Sequence, residues 1–384
     1  MVKIAIIGTG SISSAHIDGY LKFPKRCEIV ALCDIVPEKC EKIKERFGLK
    51  NAVIFDSHET LLKNSDFELA SICTPPFCHA EIAIDCLNAG RHVLVEKPMA
   101  ASLKECDEMI SAAAASGKIL SAVAQNRFRT PVWNLKQVLD NGMIGKIVHV
   151  QVDSFWWRGH SYYDLWWRGT WEKEGGGCTL NHAVHHIDML GWMMGEPQEI
   201  CAMLTNVSHD NAEVEDLSVA VLLYDSGALA QVTSSVVNHG EEQQIIFNGE
   251  KARISAPWRV VSSHSQPNGH PMPNPEFEDE VNEYYRTLPE IVHEGHPGQI
   301  DDLLTAIETG GIPLVTGTDG RLTIELITAI YKAGTEKRFI SLPITPDDPF
   351  YTVEGIQSNV PRFSEKTASV QDLGGDITFG TYKY

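Results

Sequence analysis

No stretch of this 384-residue sequence approaches the roughly 20 consecutive apolar residues of a bilayer-spanning helix, so a helical membrane protein is not expected. Basic residues are also scarce. Against 51 Asp and Glu stand 32 Lys and Arg, a formal net charge of −19, and no basic run offers a footing for a polyanion. Nucleic acid is therefore not an expected partner, and the acidity reads as solubility. Cysteine is sparse and scattered: nine residues, an odd number, with no Cys-x-x-Cys pair. Cys33 and Cys73 fall inside apolar runs, where a thiol behaves as a small hydrophobe. Such usage excludes a disulfide framework and suits a reduced, cytoplasmic protein. No internal repeat is evident. The opening Met1–Gly10 is too short and too glycine-broken for a secretory leader and reads directly as a buried strand.

What remains is an ordinary globular composition, 43% apolar and 22% charged, on a chain long enough for two domains. Over residues 1–124 apolar strands alternate with amphipathic helices, as parallel βαβ construction requires. Strands are expected at 3–7, 28–33, 53–55, 69–73, 93–95 and 119–124. Helices are expected at 13–22, 37–47, 78–89 and 103–115, with Gly90 and Gly117 as stops. Beyond Gln125 the texture changes. A helix at 132–141 leads to a strand at 147–155, a tryptophan-rich loop, and a helix at 179–194. β-Branched segments at 199–204, 217–224, 229–237 and 244–247 follow, with turn signals at Asp225-Ser226-Gly227 and Asn248-Gly249, the pattern of an antiparallel meander. Proline-rich 266–275 reads as a loop, and helices are expected at 279–294, 299–308 and 322–335. The fold class is α/β: a doubly wound Rossmann domain over 1–124, an α+β domain with a large, mainly antiparallel open sheet over 125–343, and a C-terminal arm over 344–384.

Gly8-Thr9-Gly10-Ser11-Ile12-Ser13 follows a strand and opens a helix, the context in which a G-x-G-x-x-small pattern carries information. Gly8 permits the tight turn and Gly10 lets backbone approach a pyrophosphate. Amides around Ser11 and Ile12 then meet the anion at the helix N-terminus. Asp34 ends the next strand, 24 residues after Gly10. A carboxylate there accepts hydrogen bonds from ribose hydroxyls and repels a 2′-phosphate, so the expected cofactor is NAD.

Two further segments fall at the carboxyl edge of the sheet, where open parallel sheets bind ligands. Glu96-Lys97-Pro98 leaves one strand, and Lys97 beside a nicotinamide would hydrogen-bond the reacting oxygen. Thr74 and Pro75 leave another, and His79 either meets the cofactor with them or caps its own helix.

Gly175-Gly176-Gly177 precedes Cys178-Thr179-Leu180-Asn181-His182-Ala183-Val184-His185-His186-Ile187-Asp188. In one continuous helix Asn181, His185 and Asp188 recur at i, i+4 and i+7 on one face, the setting of a general base. His182, His185 and His186 with Cys178 or Asp188 could instead ligate a metal. His185 and His186 diverge by about 100° on a helix, however, so no metal is assigned. Six of the eight tryptophans lie between Trp156 and Trp192. Tyr163, Trp167 and Arg168 are nominated from this region to stack on and hydrogen-bond a sugar ring.

Together these segments resemble the Gfo/Idh/MocA family of sugar and cyclitol oxidoreductases. The resemblance runs through Asn126-Arg127-Phe128 to Asp319-Gly320-Arg321, Ala329-Ile330-Tyr331 and Ser341-Leu342-Pro343, and so covers nearly the whole chain. It implies a Rossmann domain followed by a domain whose open sheet makes a homo-oligomer. It further implies catalytic roles for Lys97 and His185, and places Arg127 near the substrate. Asn181 stands where many members carry aspartate and Ala183 where many carry glycine. Asparagine cannot lend negative charge to His185, a departure from plain inositol dehydrogenases. The expected function is hydride transfer between NAD and a secondary hydroxyl of a sugar or glycoside, such as C3 of a pyranoside. Glycoside cleavage through transient oxidation, inositol oxidation and non-catalytic NAD sensing are the alternatives.

Overall fold

The computed structural model describes residues 1–370; the last 14 residues of the expected arm lie outside the described residues. The chain's own contacts divide it into two compact units, Met1–Phe128 with Ile291–Ile324, and Arg129–Glu290 with the remainder from Glu325.

The first unit is built on six parallel strands: β1 Val2–Ile7, β2 Cys27–Cys33, β3 Val53–Phe55, β4 Leu69–Ile72, β5 His92–Val95 and β6 Leu120–Ala122. Their order, β3-β2-β1-β4-β5-β6, reverses direction between β1 and β4, the switch point at which doubly wound sheets open a crevice. β1 and β4 are almost wholly buried, which is why both read as uninterrupted apolar runs. The helices stop where glycine supplies a left-handed residue, at Gly48 (φ 65°) and Gly117 (φ 64°). Sequence reading kept the helical stretch near 299–308 with the second domain. Helix His296–Thr309 in fact packs on helix Ser13–Leu21 of the first unit, adding Ile300, Leu303 and Leu304 to its core. Gly19 permits that approach: a Cβ there would lie 2.5 Å from Ile300 Cδ1. Arg26 fastens the contact through Asp301 and, at 2.8 Å, Glu308.

The second unit carries a nine-stranded sheet of order β14-β13-β12-β11-β7-β10-β9-β8-β15. Its strands are β7 Ile147–Phe155, β8 Glu199–Thr205, β9 Leu217–Leu223, β10 Leu229–Ser235, β11 Gln243–Gly249, β12 Ala252–Ala256, β13 Arg259–Ser265, β14 Pro271–Pro273 and β15 Ile340–Ser341. The expected meander holds for β8-β9-β10, but β10 then pairs in parallel with β7, so the sheet is mixed at its centre. Residues alternate between faces: Ala220, Leu222, Ala230 and Val232 are buried, whereas Val219, Val221 and Leu229 are exposed.

Three expectations are corrected. The loop expected over 266–275 contains β14, which among the described residues pairs only with β13; prolines are tolerated there because an edge strand need not donate outward. The helix expected at 279–294 is Pro275–Thr287, begun by the Asn274 side chain accepting the Phe277 amide. The helix expected at 179–194 is broken into Cys178–Asn181 and Val184–Met194. The Cys178 carbonyl accepts both the His182 amide (3.1 Å) and the Ala183 amide (2.9 Å), so one residue is wound out of register. Asn181 therefore does not share a helix with His185 and Asp188, which remain together at i and i+3.

Candidate active site

In the first unit the glycine turn forms as its sequence requires. Gly8 has φ 90°, and a Cβ on it would lie 2.7 Å from the Cys73 carbonyl group at the end of β4. At Gly10 an added Cβ would meet nothing within 4 Å, so this position opens outward. Ser13 ties the turn by donating its hydroxyl to the Gly10 carbonyl at 2.7 Å. Ser11 and Ile12 stand exposed at the helix entrance.

Asp34 has a structural role of its own. Its Oδ2 accepts the Thr9 amide (2.8 Å) and the Thr9 hydroxyl (2.9 Å), and Oδ1 accepts the Val36 amide (3.0 Å). The carboxylate thus latches the glycine turn to the end of β2. Thr74 Oγ1 is buried and, among the described residues, has no hydrogen-bond partner. An unmet hydroxyl, a glycine cradle and a ribose-competent carboxylate at one sheet edge fit a dinucleotide. Replacing Asp34 by Ala is expected to raise the NAD dissociation constant about ten- to a hundredfold, the value of one or two hydrogen bonds to a charged group, as read by fluorescence titration.

At the end of β5, Glu96 is buried and anchors a polar chain. Its Oε1 faces His16 Nε2 at 2.8 Å and His296 Nε2 at 3.4 Å, its Oε2 accepts the Lys97 amide at 3.0 Å, and His16 Nδ1 meets Ser71 Oγ at 2.7 Å. Burial raises the Glu96 carboxyl, but hydrogen bonds from the two histidines outweigh it and hold the group well below the usual carboxylate range. Burial lowers the His16 imidazole. Among the described residues these three form the one group whose donor atoms, within 4.8 Å of one another, could hold a metal ion. The His16–Glu96 separation is that of a hydrogen bond, and the partners already satisfy each other. Glu96 thereby fixes the backbone of half-buried Lys97.

His79 is fully buried, with Nδ1 2.9 Å from the Pro98 carbonyl and Nε2 2.8 Å from the Thr74 carbonyl. It braces the Thr74-Pro75 turn against the Lys97-Pro98 turn. Arg127 is 1% exposed and donates to Asp319 at 2.9 Å, which makes it part of the first unit's interior.

In the second unit the Gly175–Asp188 segment is buried except at Gly175, Asn181 and His185, which are half-buried. Burial drives the His186 imidazole down to about 3, so it is neutral core. His182 packs between the rings of Trp156 (5.7 Å) and Tyr162 (5.8 Å). The Asn181 amide group donates to the Gly176 carbonyl at 2.8 Å.

Of the aromatic nominations, Tyr163 is 1% exposed and meets His209 edge-on at 4.9 Å; its ring belongs to the core and offers no face to a sugar. Arg168 lies between Trp167 (4.1 Å) and Tyr162 (4.2 Å) and donates to buried Glu174 at 2.8 Å. The C-terminal segment returns to this loop: Trp171 Nε1 donates to Pro361, and Val370 exchanges backbone hydrogen bonds with Asp164 and Trp166.

Sequence reading missed His16, His296, Glu174, Glu215 and Tyr331. His16 alone left a local signal, a histidine on the buried side of its helix beside Ile17 and Tyr20. Glu174 meets Arg168 and Gly169 six and five residues away, whereas His296, Glu215 and Tyr331 are defined by partners distant in the chain.

Residues 2–123 match the model of an oxidoreductase family with an NAD-binding Rossmann fold, and residues 132–255 that of the GFO/IDH/MocA C-terminal domain. A myo-inositol 2-dehydrogenase from Thermotoga maritima is 27% identical over 350 residues, 89% of this chain and 98% of the relative. A D-glucoside 3-dehydrogenase from Escherichia coli is 25% identical over 269 residues, 65% of this chain and 76% of the relative. Among solved structures, the WlbA dehydrogenase from Bordetella pertussis, in complex with NADH and UDP-GlcNAcA, superposes with a TM-score of 0.77 at 28% identity, covering 90% of this chain and 98% of that one. The glycine turn, the Asp34 carboxylate and both family matches lead to one assignment: the chain belongs to the Gfo/Idh/MocA family and is an NAD-dependent oxidoreductase.

Proposed function

We propose that this enzyme oxidises a secondary hydroxyl of a sugar or glycoside, such as C3 of a pyranoside, or carries out the reverse reduction. The observation that carries the reading is the half-burial of Asn181 and His185 within the otherwise buried run 176–188, in a chain whose other unit places Lys97 two residues beyond the end of β5. In this reading His185 takes the hydroxyl proton, Lys97 hydrogen-bonds the oxygen as it becomes a carbonyl, and Asn181 orients the hydroxyl. NAD, when bound, supplies the hydride acceptor. Half-buried Trp167, stacked on Arg168, gives a flat apolar face for a pyranose ring, and the guanidinium edge a hydroxyl partner. The dehydrogenase relatives acting on inositol and glucosides support this substrate class.

The test follows NADH absorbance with myo-inositol, D-glucose and the methyl D-glucopyranosides. Reduction of NAD by one of these, with a keto-sugar as product, is expected. A panel without turnover in either direction, using protein that binds NAD, would remove the substrate assignment.

The cell interior is the proposed location. Nine cysteines with no disulfide among the described residues suit a reducing compartment, and among the described residues no helix is long and apolar enough to cross a membrane. The enzyme is also proposed to be a homo-oligomer through the open face of its large sheet. Met203 (77% exposed), Val219, Val221 and Leu229 line that face, more apolar surface than a monomeric sheet usually leaves wet. Light scattering is expected to give a dimer or larger for the wild type and a monomer for Met203→Glu with Val221→Glu. A wild-type monomer at micromolar concentration would exclude the assembly.

A further inference from the structure

The triple glycine is explained by what it packs against within the second unit. A Cβ on Gly176 would lie 2.1 Å from the Tyr331 hydroxyl oxygen, and one on Gly177 would lie 1.9 Å from the Glu215 carbonyl oxygen. Glu215 is 0% exposed and receives three successive amides. Its carboxylate accepts the Gly177 N–H at 3.1 Å and the Thr179 N–H at 3.0 Å, while its backbone carbonyl accepts the Cys178 N–H at 3.2 Å. Tyr331 adds a hydroxyl donor at 3.1 Å. Two residues further on, Asn181 folds back onto the Gly176 and Gly177 carbonyls. The course of the backbone into Asn181 and helix Val184–Met194 is therefore set largely by one buried side chain.

We propose that Glu215 is a positioning residue for His185 and Asn181, its buried carboxyl group holding the Gly177–Thr179 turn in the conformation that presents both. This rests on the reading that those two residues act on the substrate. The carboxyl can hold the two amides in either protonation state, because a proton on the oxygen facing Tyr331 is donated to that hydroxyl, which accepts as well as donates.

The titratable groups facing Glu215 are Tyr331, Cys178 and Tyr163, with Asp216 next to it in the chain. The first three are held neutral by burial, and Asp216 is engaged by His209 and the Val207 and Ser208 amides. None of these faces is basic. Burial accordingly pushes the Glu215 carboxyl up to about 7, against the lowering effect of its amide donors. An opened, hydrated turn returns the carboxyl toward its ordinary value, so the proton favours the closed turn, which is firmest below neutrality and loosens as pH rises through about 7.

Hydrogen–deuterium exchange on the full-length, NAD-loaded protein tests this without knowledge of the sugar. Corrected for intrinsic rates, exchange across 175–183 should rise about tenfold in the wild type from pH 6 to pH 8. In Glu215→Gln, which sets an NH2 group against donors, exchange should be fast and independent of pH, with distant peptides unchanged. Tyr331→Phe removes a donor to the ionised form, so its midpoint should move upward by about one pH unit; this variant carries the test if the glutamine protein fails to fold. Wild-type exchange flat across pH, or equal protection in Glu215→Gln, overturns the proposal. Turnover retained by His185→Ala on the sugar panel would instead overturn the functional reading and leave the exchange result as measured.

Discussion

Replacing Lys97 by alanine is expected to lower turnover by about a thousandfold or more, within the range that one positioned acid–base group contributes, while NAD binds within about threefold of wild type. The separation follows from how the residue is mounted. β5 and the Glu96 carboxylate hold the Lys97 backbone, and Glu96 is held in turn by His16 and His296, so truncating the side chain leaves the turn in place. The proposed anchors of the dinucleotide lie elsewhere, on the Gly8–Ser13 turn, which Asp34 and Ser13 hold in shape, and on Asp34 itself. Single-turnover absorbance at saturating sugar, paired with a fluorescence titration of NAD, reads the two effects separately. Activity within tenfold of wild type would strip Lys97 of its role, and a parallel collapse of NAD affinity would recast it as a cofactor anchor.

The largest expected loss of stability comes from one methyl group. Gly177→Ala places a Cβ against a backbone carbonyl of a fully buried residue, where neither partner can turn aside. Overpacking into yielding side chains costs about 1–3 kcal/mol; here the cost should lie at or above the top of that range. Denaturant unfolding should show the second unit melting early, by an amount that would leave it largely unfolded if it is marginal to begin with. Gly10→Ala is the contrast: its Cβ meets nothing, so the fold should be unaffected and only cofactor binding should weaken. Equal stability of the Gly177→Ala protein and the wild type would mean that the turn relaxes freely.

What was legible in the sequence is what local chemistry dictates. Helix Pro37–Phe47 and strands β3 and β7 fall at their expected bounds, because proline at the helix start, a left-handed glycine at its end and β-branched periodicity act within a few residues. The Gly8 turn, Asp34 and the Glu96-Lys97 edge were legible for the same reason. Glu215 was not. It sits next to an acidic neighbour at the start of a strand, indistinguishable from a solvated charge, and its meaning comes from amides 36 and 38 residues away. The break at His182 was hidden too, since helical spacing continues through it and only the doubly accepting Cys178 carbonyl displaces the register. Tyr163 and Arg127 carried chemistry suited to a sugar, but burial is a tertiary property that composition does not encode.

The double engagement of Asp34 bears on any attempt to retool this enzyme for a phosphorylated dinucleotide. The usual exchange of that acid for a small or cationic residue would relieve the charge conflict yet also release Thr9 and Val36, slackening the loop before any new coenzyme arrives. A successful redesign must therefore supply a second acceptor for Thr9, so that preference and loop rigidity are altered as one unit.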